Sequence, residues 1–197
     1  MNISLLWHNG YYRYFGKRAG SQKKTYYSFD SGSWHIVSLD HNQRNKAFAK
    51  QLDWLKDNLG KNSSSCILAC WHPPLYSSGI RGNSTFMKPV RETLHKAGTD
   101  IILNGHDHHY ERFVPQDAEG NPDTRNGIRQ CVVGTGGAKQ PPILRQKPNS
   151  ETIVEKTFGV LKLKLRQNNY SWQFIPIKGS AHTDSGTAEC HINPDRK

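Results

Sequence analysis

Cysteines and long apolar runs are scarce in this sequence. Only four of its 197 residues are cysteines and none forms a Cys-x-x-Cys pair, which excludes a disulfide-rich scaffold and leaves the redox compartment open. No apolar stretch is long enough to span a bilayer, and residues 1–7 are too short for a secretory signal. The basic residues are scattered without a run of about five or more like charges, so no specific nucleic-acid partner is expected.

The four cysteines are irregularly spaced. Cys66 and Cys70 belong to the apolar run at residues 66–71 and are predicted to be small buried hydrophobes rather than metal ligands. Cys190 lies beside His191 near the end of the chain and could pair with another segment.

Length and charge suit one domain with an anionic partner. With 197 residues and a mass of 22.4 kDa, the chain can bury a sizeable core. Its 27 Lys+Arg against 16 Asp+Glu give a formal charge of +11, which favours partners such as phosphate esters. We predict a single domain over residues 1–197, with an aromatic opening segment at residues 1–20 and an irregular polar tail at residues 179–197.

Hydrophobic periodicity predicts an α/β fold. Helical spacing predicts helices at residues 45–59 and 86–97, each followed by a glycine. Strands are predicted at residues 26–30, 34–40, 65–71, 100–103, 129–133, 158–165 and 170–177. The first two and the last two of these strands are separated by turn residues and are predicted to form hairpins.

A dense polar cluster follows the predicted strand at residues 100–103. It reads Asn104-Gly105-His106-Asp107-His108-His109-Tyr110-Glu111-Arg112, and its three histidines fit metal binding better than core packing. His106 and His108 are two residues apart and would point the same way on an extended chain, whereas His109 would point away. We interpret His109 as a residue that supports the ligands or binds the substrate.

One further histidine, His72, ends the predicted strand at residues 65–71. The carboxyl ends of neighbouring parallel strands meet at one edge, so His72 could join His106 and His108. Two strand ends that each deliver imidazole favour a metal site over polar residues satisfied at loop ends. The histidines without a partner at ligand spacing are His8, His35, His41, His95, His182 and His191.

The residues alone leave the number of metal ions open. Three imidazoles could hold one Zn²⁺ with an open position, whereas a two-metal centre needs a carboxylate that bridges cations about 3.5–4 Å apart. The nearby oxygen donors, none placed as a clear bridge, are Asp40, Asn104, Asp107 and Glu111. Asp40 ends a predicted strand and could act in catalysis or cap the following turn.

A glycine-rich run follows the predicted strand at residues 129–133. It reads Gly134-Thr135-Gly136-Gly137-Ala138 and could let the backbone approach a phosphate. It lacks the Lys-Ser/Thr ending of a phosphate-binding P-loop, so we predict a tight turn.

Several motifs in order resemble the calcineurin-like metallophosphoesterases, most closely the purple acid phosphatase-like branch. The resemblance covers nearly the whole chain, and its specific part is Gly105-His106-Asp107-His108 with the upstream His72. The tail at residues 183–191 also resembles bacterial members of that branch. The other matching segments are residues 26–30, 34–40, 51–55, 71–76 and 133–137.

The resemblance implies a fold, a metal centre and a reaction. The fold is a four-layer α/β/β/α sandwich, with two mixed sheets face to face and helices outside. His72 and His106 would bind one ion of a dinuclear pair and His108 the other, with Fe, Zn or Mn as the metals. The reaction is hydrolysis of phosphate monoesters or diesters by a metal-activated hydroxide. A complete family member is expected to be secreted or periplasmic.

The first part of the sequence departs from the family's pattern. The family's Asp, Gly-Asp and Gly-Asn-His motifs, which supply the bridging aspartate, an amide ligand and an acid/base histidine, would precede residues 11–15 and are not present. No catalytic residue is therefore assigned. We expect a C-terminal portion of a metallophosphoesterase domain that is incomplete at its N-terminus, has impaired activity, and self-associates through an exposed sheet edge.

Two other functions fit the same residues. A non-catalytic binding domain would keep the scaffold and a partial or mononuclear three-histidine site, and would hold an anion by its positive charge. A standalone Zn²⁺ hydrolase would need only the three histidines. Each interpretation places His72, His106 and His108 at the centre.

Overall fold

Strands alternate with helices in the first half of the chain and follow one another in the second. A computed structural model describes residues 13–16 and 24–191, so the predicted opening segment lies largely outside the described residues. The elements are β1 (Tyr27–Ser31), β2 (Trp34–Ser38), α1 (Asn45–Gly60), β3 (Cys66–Cys70), a 3-10 turn (Thr85–Met87), α2 (Lys88–Lys96), β4 (Ile101–Asn104), β5 (Tyr110–Phe113), β6 (Arg129–Val133), β7 (Ser150–Val154), β8 (Gly159–Leu165), β9 (Asn169–Pro176) and β10 (Asp184–Glu189). Both predicted helices and both predicted hairpins are confirmed.

The larger sheet has seven strands in the order β1-β2-β3-β4-β6-β5-β7. Its neighbours β2, β3, β4 and β6 run parallel. Helix α1 returns the chain between β2 and β3, and helix α2 returns it between β3 and β4. The carboxyl ends of these parallel strands therefore lie along one edge of the sheet, where their loops meet.

Each face of the larger sheet has its own core. Along β3, Ile67 and Ala69 pack in a cluster with Leu55 of α1. The alternate residues, Cys66 and Leu68, pack in a second cluster with Trp172 of β9. This period of two places the helices on one face of the sheet and a second sheet on the other.

The second sheet is antiparallel, with strands in the order β10-β9-β8, and packs on the larger one. The predicted layered α/β fold is confirmed, and residues 24–191 contribute one helical layer and two sheets. Within these residues no helix is long and apolar enough to cross a membrane. Self-association through a sheet edge stays a prediction.

The predicted irregular tail is wrong at residues 184–189. These residues form strand β10, which pairs with β9 from Asp184↔Phe174 to Glu189↔Asn169. The sequence of β10 is polar and lacks alternating large apolar residues, so it gave no strand signal. Glycine at position 186 lets β10 pack closely on the Trp172 ring, because a Cβ there would lie 2.3 Å from the ring.

A disulfide closes the fold between Cys66 and Cys190. It joins the first residue of β3 to the residue after β10, across 124 positions and a Cα–Cα distance of 5.5 Å. Cys66 is buried in an apolar cluster, as predicted, and the disulfide supplies the partner that the sequence left open for Cys190. Cys70 and Cys131 are free thiols.

Asp184 at the start of β10 ties the two sheets together. Its carboxylate accepts hydrogen bonds from the Tyr110 hydroxyl at 2.6 Å, Arg112 Nε at 2.7 Å and Trp172 Nε1 at 2.9 Å. The Arg112 guanidinium also stacks on the Trp172 ring and bonds to Glu151. A buried charge is thus neutralised by donors from both sheets.

Asp184→Asn is expected to destabilise the fold in a pH-dependent way. Burial alone would raise the pKa of Asp184, but hydrogen bonds from Arg112 and Tyr110 outweigh it and lower the pKa below 3.8. Such a carboxylate contributes stability above its unfolded pKa, and the contribution is lost as the pH falls through the folded pKa. Urea unfolding should give a loss of about 2–3 kcal/mol near pH 7 that shrinks below about pH 4.

The matched control for this prediction is Glu189→Gln, because Glu189 is exposed on the same strand. We expect its stability to follow that of the unmodified chain at every pH. A loss for Asp184→Asn that stays constant between about pH 7 and pH 3 would show that the charge of Asp184 is not the cause.

Candidate metal centre

The predicted metal ligands lie at the carboxyl edge of the parallel strands. His72 comes two residues after β3 ends, and His106 comes two residues after the neighbouring β4 ends. The Gly105 amide donates to the His72 carbonyl at 2.9 Å, which fastens the two loops to each other. A Cβ at position 105 would lie 3.4 Å from His72 Nδ1, which is an ordinary van der Waals contact.

His72 and His106 face each other through their ring nitrogens. His72 Nε2 lies 3.3 Å from His106 Nδ1, and the ring centroids are 5.1 Å apart. Two nitrogen ligands of one tetrahedral Zn²⁺, at about 2.0–2.1 Å each, stand about 3.3–3.4 Å from one another. Burial, and then the charges of His106 and His108, lower the pKa of His72, which keeps a lone pair available on its ring. The pair therefore fits two ligands of one cation.

The backbone of His106 is held in the left-handed region, with φ of 68°. A non-glycine residue adopts this conformation at a cost that the surrounding structure must offset. The turn is held by the Asp107 amide, which donates to the Gly105 carbonyl at 2.8 Å, and by the His109 amide, which donates to the Asp107 carbonyl at 3.0 Å. This conformation turns the His106 ring towards His72.

His108 presents a fixed tautomer. Its Nδ1 lies 2.6 Å from the Lys139 carbonyl, and a carbonyl only accepts, so Nδ1 carries the proton. The lone pair is then on Nε2, which lies 2.8 Å from Arg81 Nη1. A ring N–H donated to a backbone carbonyl is the usual support of a metal-binding histidine.

The three histidines do not converge on one point. Among the described residues, their ligand atoms do not form a group within 4.8 Å of one another, whereas Cys66, Asp100 and Cys190 do. Cys66 and Cys190 are joined in the disulfide, so this second group offers no thiolate ligand to a metal. One position at the His72–His106 pair and a separate one at His108 fit the arrangement better than a single three-histidine ion.

His41 belongs to the same edge and was missed by sequence reasoning. It follows β2, the parallel neighbour of β3, and its ring centroid lies 5.6 Å from that of His72. Burial, and then the charge of His72, lower the pKa of His41. The signal was present, since His41 comes three residues after a strand end, but spacing along the chain does not reveal strand order.

The candidate carboxylate donors are bonded within the protein, whereas the Asn104 oxygen is not. Asp107 is 2% exposed and accepts from Ser77 Oγ at 2.6 Å and from the Arg81 amide at 3.0 Å. Asn104 Nδ2 donates to the Trp71 carbonyl at 2.9 Å, while the buried Asn104 Oδ1 has no hydrogen-bond partner among the described residues. Asp40 accepts from the Asn42 amide at 2.8 Å, which fits the capping interpretation rather than the catalytic one.

His109 is buried beneath the loop. It is 2% exposed, and its Nε2 lies 2.9 Å from Glu111 Oε2. Burial alone would raise the pKa of Glu111, but hydrogen bonds from His109 and Ser78 outweigh it and lower the pKa. The predicted substrate contact of His109 is not supported by this position, which fits the other interpretation of His109 as a residue that supports the ligand loop.

The glycine-rich run packs against the ligand loop. The Gly134 amide donates to the His109 carbonyl at 3.0 Å. A Cβ at position 134 would lie 1.8 Å from the Asp107 carbonyl oxygen, so only glycine fits there. The run bends at residues 136–138 and supports the loop that carries His106 and His108, while the predicted tight turn stays a prediction.

Comparison with known proteins agrees with this geometry. Residues 4–110 match the family described as calcineurin-like phosphoesterase. Purple acid phosphatase 15 of Arabidopsis thaliana is 40% identical over 100 residues, which are 48% of this chain and 19% of that protein. Purple acid phosphatase 21 of the same plant is 28% identical over 194 residues, which are 88% of this chain and 44% of that protein.

A solved structure has the same fold. Purple acid phosphatase PPD1 from yellow lupin (Lupinus luteus) seeds matches with a TM-score of 0.76 and 21% identity, over 88% of this chain and 34% of that one. The chain thus spans less than half the length of these relatives.

Proposed function

This chain belongs to the calcineurin-like phosphoesterase family, and we propose that His72, His106 and His108 form part of a metal centre for the hydrolysis of phosphate monoesters or diesters. The observation that carries the proposal is the 3.3 Å approach of His72 Nε2 to His106 Nδ1 at the carboxyl edge of parallel strands. The positive charge of +11 suits an anionic substrate.

The chain's own residues would hold and orient the cations. His72 and His106 would bind one ion and His108 a second. Fe, Zn or Mn are the candidates that the family resemblance implies, and imidazole suits Fe and Zn. Bound cations of this kind activate water and stabilise negative charge on phosphoryl oxygens. The Lys139 carbonyl would keep the Nε2 lone pair of His108 directed outward.

We further propose that these 197 residues hydrolyse phosphate esters poorly by themselves. The sequence contains no Gly-Asp or Gly-Asn-His motif, so a bridging aspartate and an acid/base histidine are not supplied at the positions the family uses. Asp107 and Glu111 do not replace the bridge, because each carboxylate is occupied by donors from residues 77–81.

Slow, metal-dependent hydrolysis of p-nitrophenyl phosphate is the expected result for the purified chain. We expect turnover below about one hundredth of the typical enzyme value of about 10 s⁻¹. Adding a chelator should stop it, and His106→Ala should reduce it to background, because the paired ligand of His72 is lost. The rate should be measured with Zn²⁺, Mn²⁺ and Fe in turn.

The control is His182→Ala, which removes an exposed histidine in the segment before β10 and should leave the rate unchanged. Equal rates for the unmodified chain and His106→Ala would argue against phosphoesterase activity. A turnover of about 10 s⁻¹ or more would instead show that these residues need no further motif.

A non-catalytic binding domain is the second candidate. It is favoured by the inward bonding of Asp107 and Glu111, which leaves imidazoles without a nearby free carboxylate in the loop at residues 104–111. Metal analysis separates the two functions. About two ions per chain would support the catalytic proposal, and one ion without any hydrolysis would support the binding domain.

An oxidising compartment is the proposed location. The Cys66–Cys190 disulfide supports it, because disulfides persist in secreted and periplasmic proteins and are rare in the cytosol.

A further inference from the structure

Arg81 donates a hydrogen bond to His108 Nε2, the nitrogen that a metal ion would bind. Its Nη1 lies 2.8 Å from His108 Nε2 and donates to the His106 carbonyl at 3.1 Å. Arginine remains protonated in proteins, so the guanidinium is the donor and the imidazole nitrogen is the acceptor. The exposed Arg81 guanidinium thus contacts His106 and His108.

The position of Arg81 is imposed by the loop that carries it. The buried Asp107 carboxylate accepts from the Arg81 amide at 3.0 Å and from Ser77 Oγ at 2.6 Å. Gly79 packs directly on the same carboxylate, since a Cβ there would lie 2.3 Å from Asp107 Cγ. Residues 77–81 are therefore fastened to the residue between His106 and His108, which places Arg81 within hydrogen-bonding distance of both.

The lone pair of His108 can serve only one partner at a time. Its Nδ1 is committed to the Lys139 carbonyl, so Nε2 is its only acceptor. A metal ion at Nε2 must displace the guanidinium and would be repelled while that charge stays nearby. The His72–His106 pair is under no such constraint, because Arg81 bonds to the carbonyl of His106 and not to its ring.

We propose that Arg81 closes the metal position at His108. The chain then takes its first cation at His72 and His106, and admits a second only when Arg81 leaves His108. This inference rests on the proposed function, since it assumes that the three histidines bind metal. It makes Arg81 a residue that sets the order and the number of ions bound.

The test is zinc binding by the full chain, measured by calorimetry and by metal analysis after dialysis. Arg81→Met keeps a long side chain and removes the charge. We expect it to tighten the second zinc-binding step by about 10- to 100-fold and to change the first by less than about threefold. In the Arg81→Met background, His108→Ala should abolish the gain, which shows that the new affinity belongs to His108.

The control is Arg145→Met, which removes the same charge from an exposed arginine beside residues 78–83. An equal gain in this control would assign the effect to net charge and overturn the proposal. No gain for Arg81→Met would also overturn it, while the proposed metal centre stands as long as His106→Ala loses the first zinc. If His106→Ala binds zinc as tightly as the unmodified chain, the proposed function itself fails.

Discussion

Gly134→Ala is expected to lower the free energy of unfolding by on the order of 3–5 kcal/mol, a loss at the upper end of that for single substitutions. The added Cβ would lie 1.8 Å from the Asp107 carbonyl oxygen and 3.0 Å from His108 Cα. Both neighbours are backbone atoms, which cannot move aside by changing a rotamer. Relief requires the ligand loop to separate from β6, and this breaks the bond from the Gly134 amide to the His109 carbonyl.

Urea unfolding of Gly134→Ala should be compared with that of Gly136→Ala. Gly136 lies in the same run, but a Cβ there meets nothing within 4 Å, so we expect a change of less than about 0.5 kcal/mol. Similar losses in both variants would show that the run requires glycine for chain flexibility rather than for one close contact.

The same substitution should also weaken metal binding. His106 and His108 flank Asp107, the residue that the new methyl group would displace, and ligand geometry tolerates errors of only a few tenths of an ångström. We expect zinc affinity to fall at least tenfold in any Gly134→Ala protein that still folds. Unchanged affinity would mean that the loop is positioned by other contacts.

Sequence reasoning brought the candidate ligands together because the ends of strands can be recognised in the sequence. Two apolar runs are each followed within three residues by a histidine, and a helix between them predicts parallel neighbours whose carboxyl ends meet. The structure has β3 beside β4 and brings His72 to 3.3 Å from His106. Local pattern and global topology agree here, so the pair could be predicted without coordinates.

The features that tune the site could not be read in this way. Arg81 reaches His108 across 27 positions, and His41 reaches His72 across 31, through loops whose paths are set by tertiary contacts. The positive φ of His106 breaks the local preference of a non-glycine residue, and only the surrounding hydrogen bonds explain it. A helix or strand signal depends on near neighbours in sequence, whereas these contacts do not.

Strand β10 and the partner of Cys190 could not be predicted from the sequence for a different reason. Strand β10 is polar and short, so its pairing depends on the free edge of β9 and on the fit of Gly186 to Trp172. Cys190 had no partner suggested by spacing, because Cys66 is 124 positions away. Both features depend on tertiary contacts, with β9 for strand β10 and with β3 for Cys190, which local sequence patterns do not encode.

Loss of the Cys66–Cys190 disulfide is expected to be the second large destabilisation. The bond closes a loop of 124 positions, and the chain-entropy account gives about 5 kcal/mol for a loop of that length as an upper estimate. Total domain stability is about 5–15 kcal/mol, so the reduced protein should be marginal. We expect Cys190→Ala to lower the free energy of unfolding by about 3–5 kcal/mol, measured in urea without a reducing agent.

A double-mutant cycle separates the covalent bond from side-chain packing. If the bond is the cause, Cys66→Ala, Cys190→Ala and the double variant should lose nearly the same free energy, because either substitution removes the whole cross-link. Adding a dithiol should destabilise the unmodified chain to the same extent and leave the Cys190→Ala variant unchanged. Additive losses would assign the effect to packing of the buried Cys66 side chain, and a chain insensitive to the dithiol would show that the disulfide does not stabilise the fold. Because Asp184 holds the start of β10 and the disulfide holds its end, reduction should loosen Cys190 and His191 first. This is detected as faster exchange of their amides, which donate to the Asn168 carbonyl at 2.8 Å and to Asp100 Oδ1 at 2.6 Å.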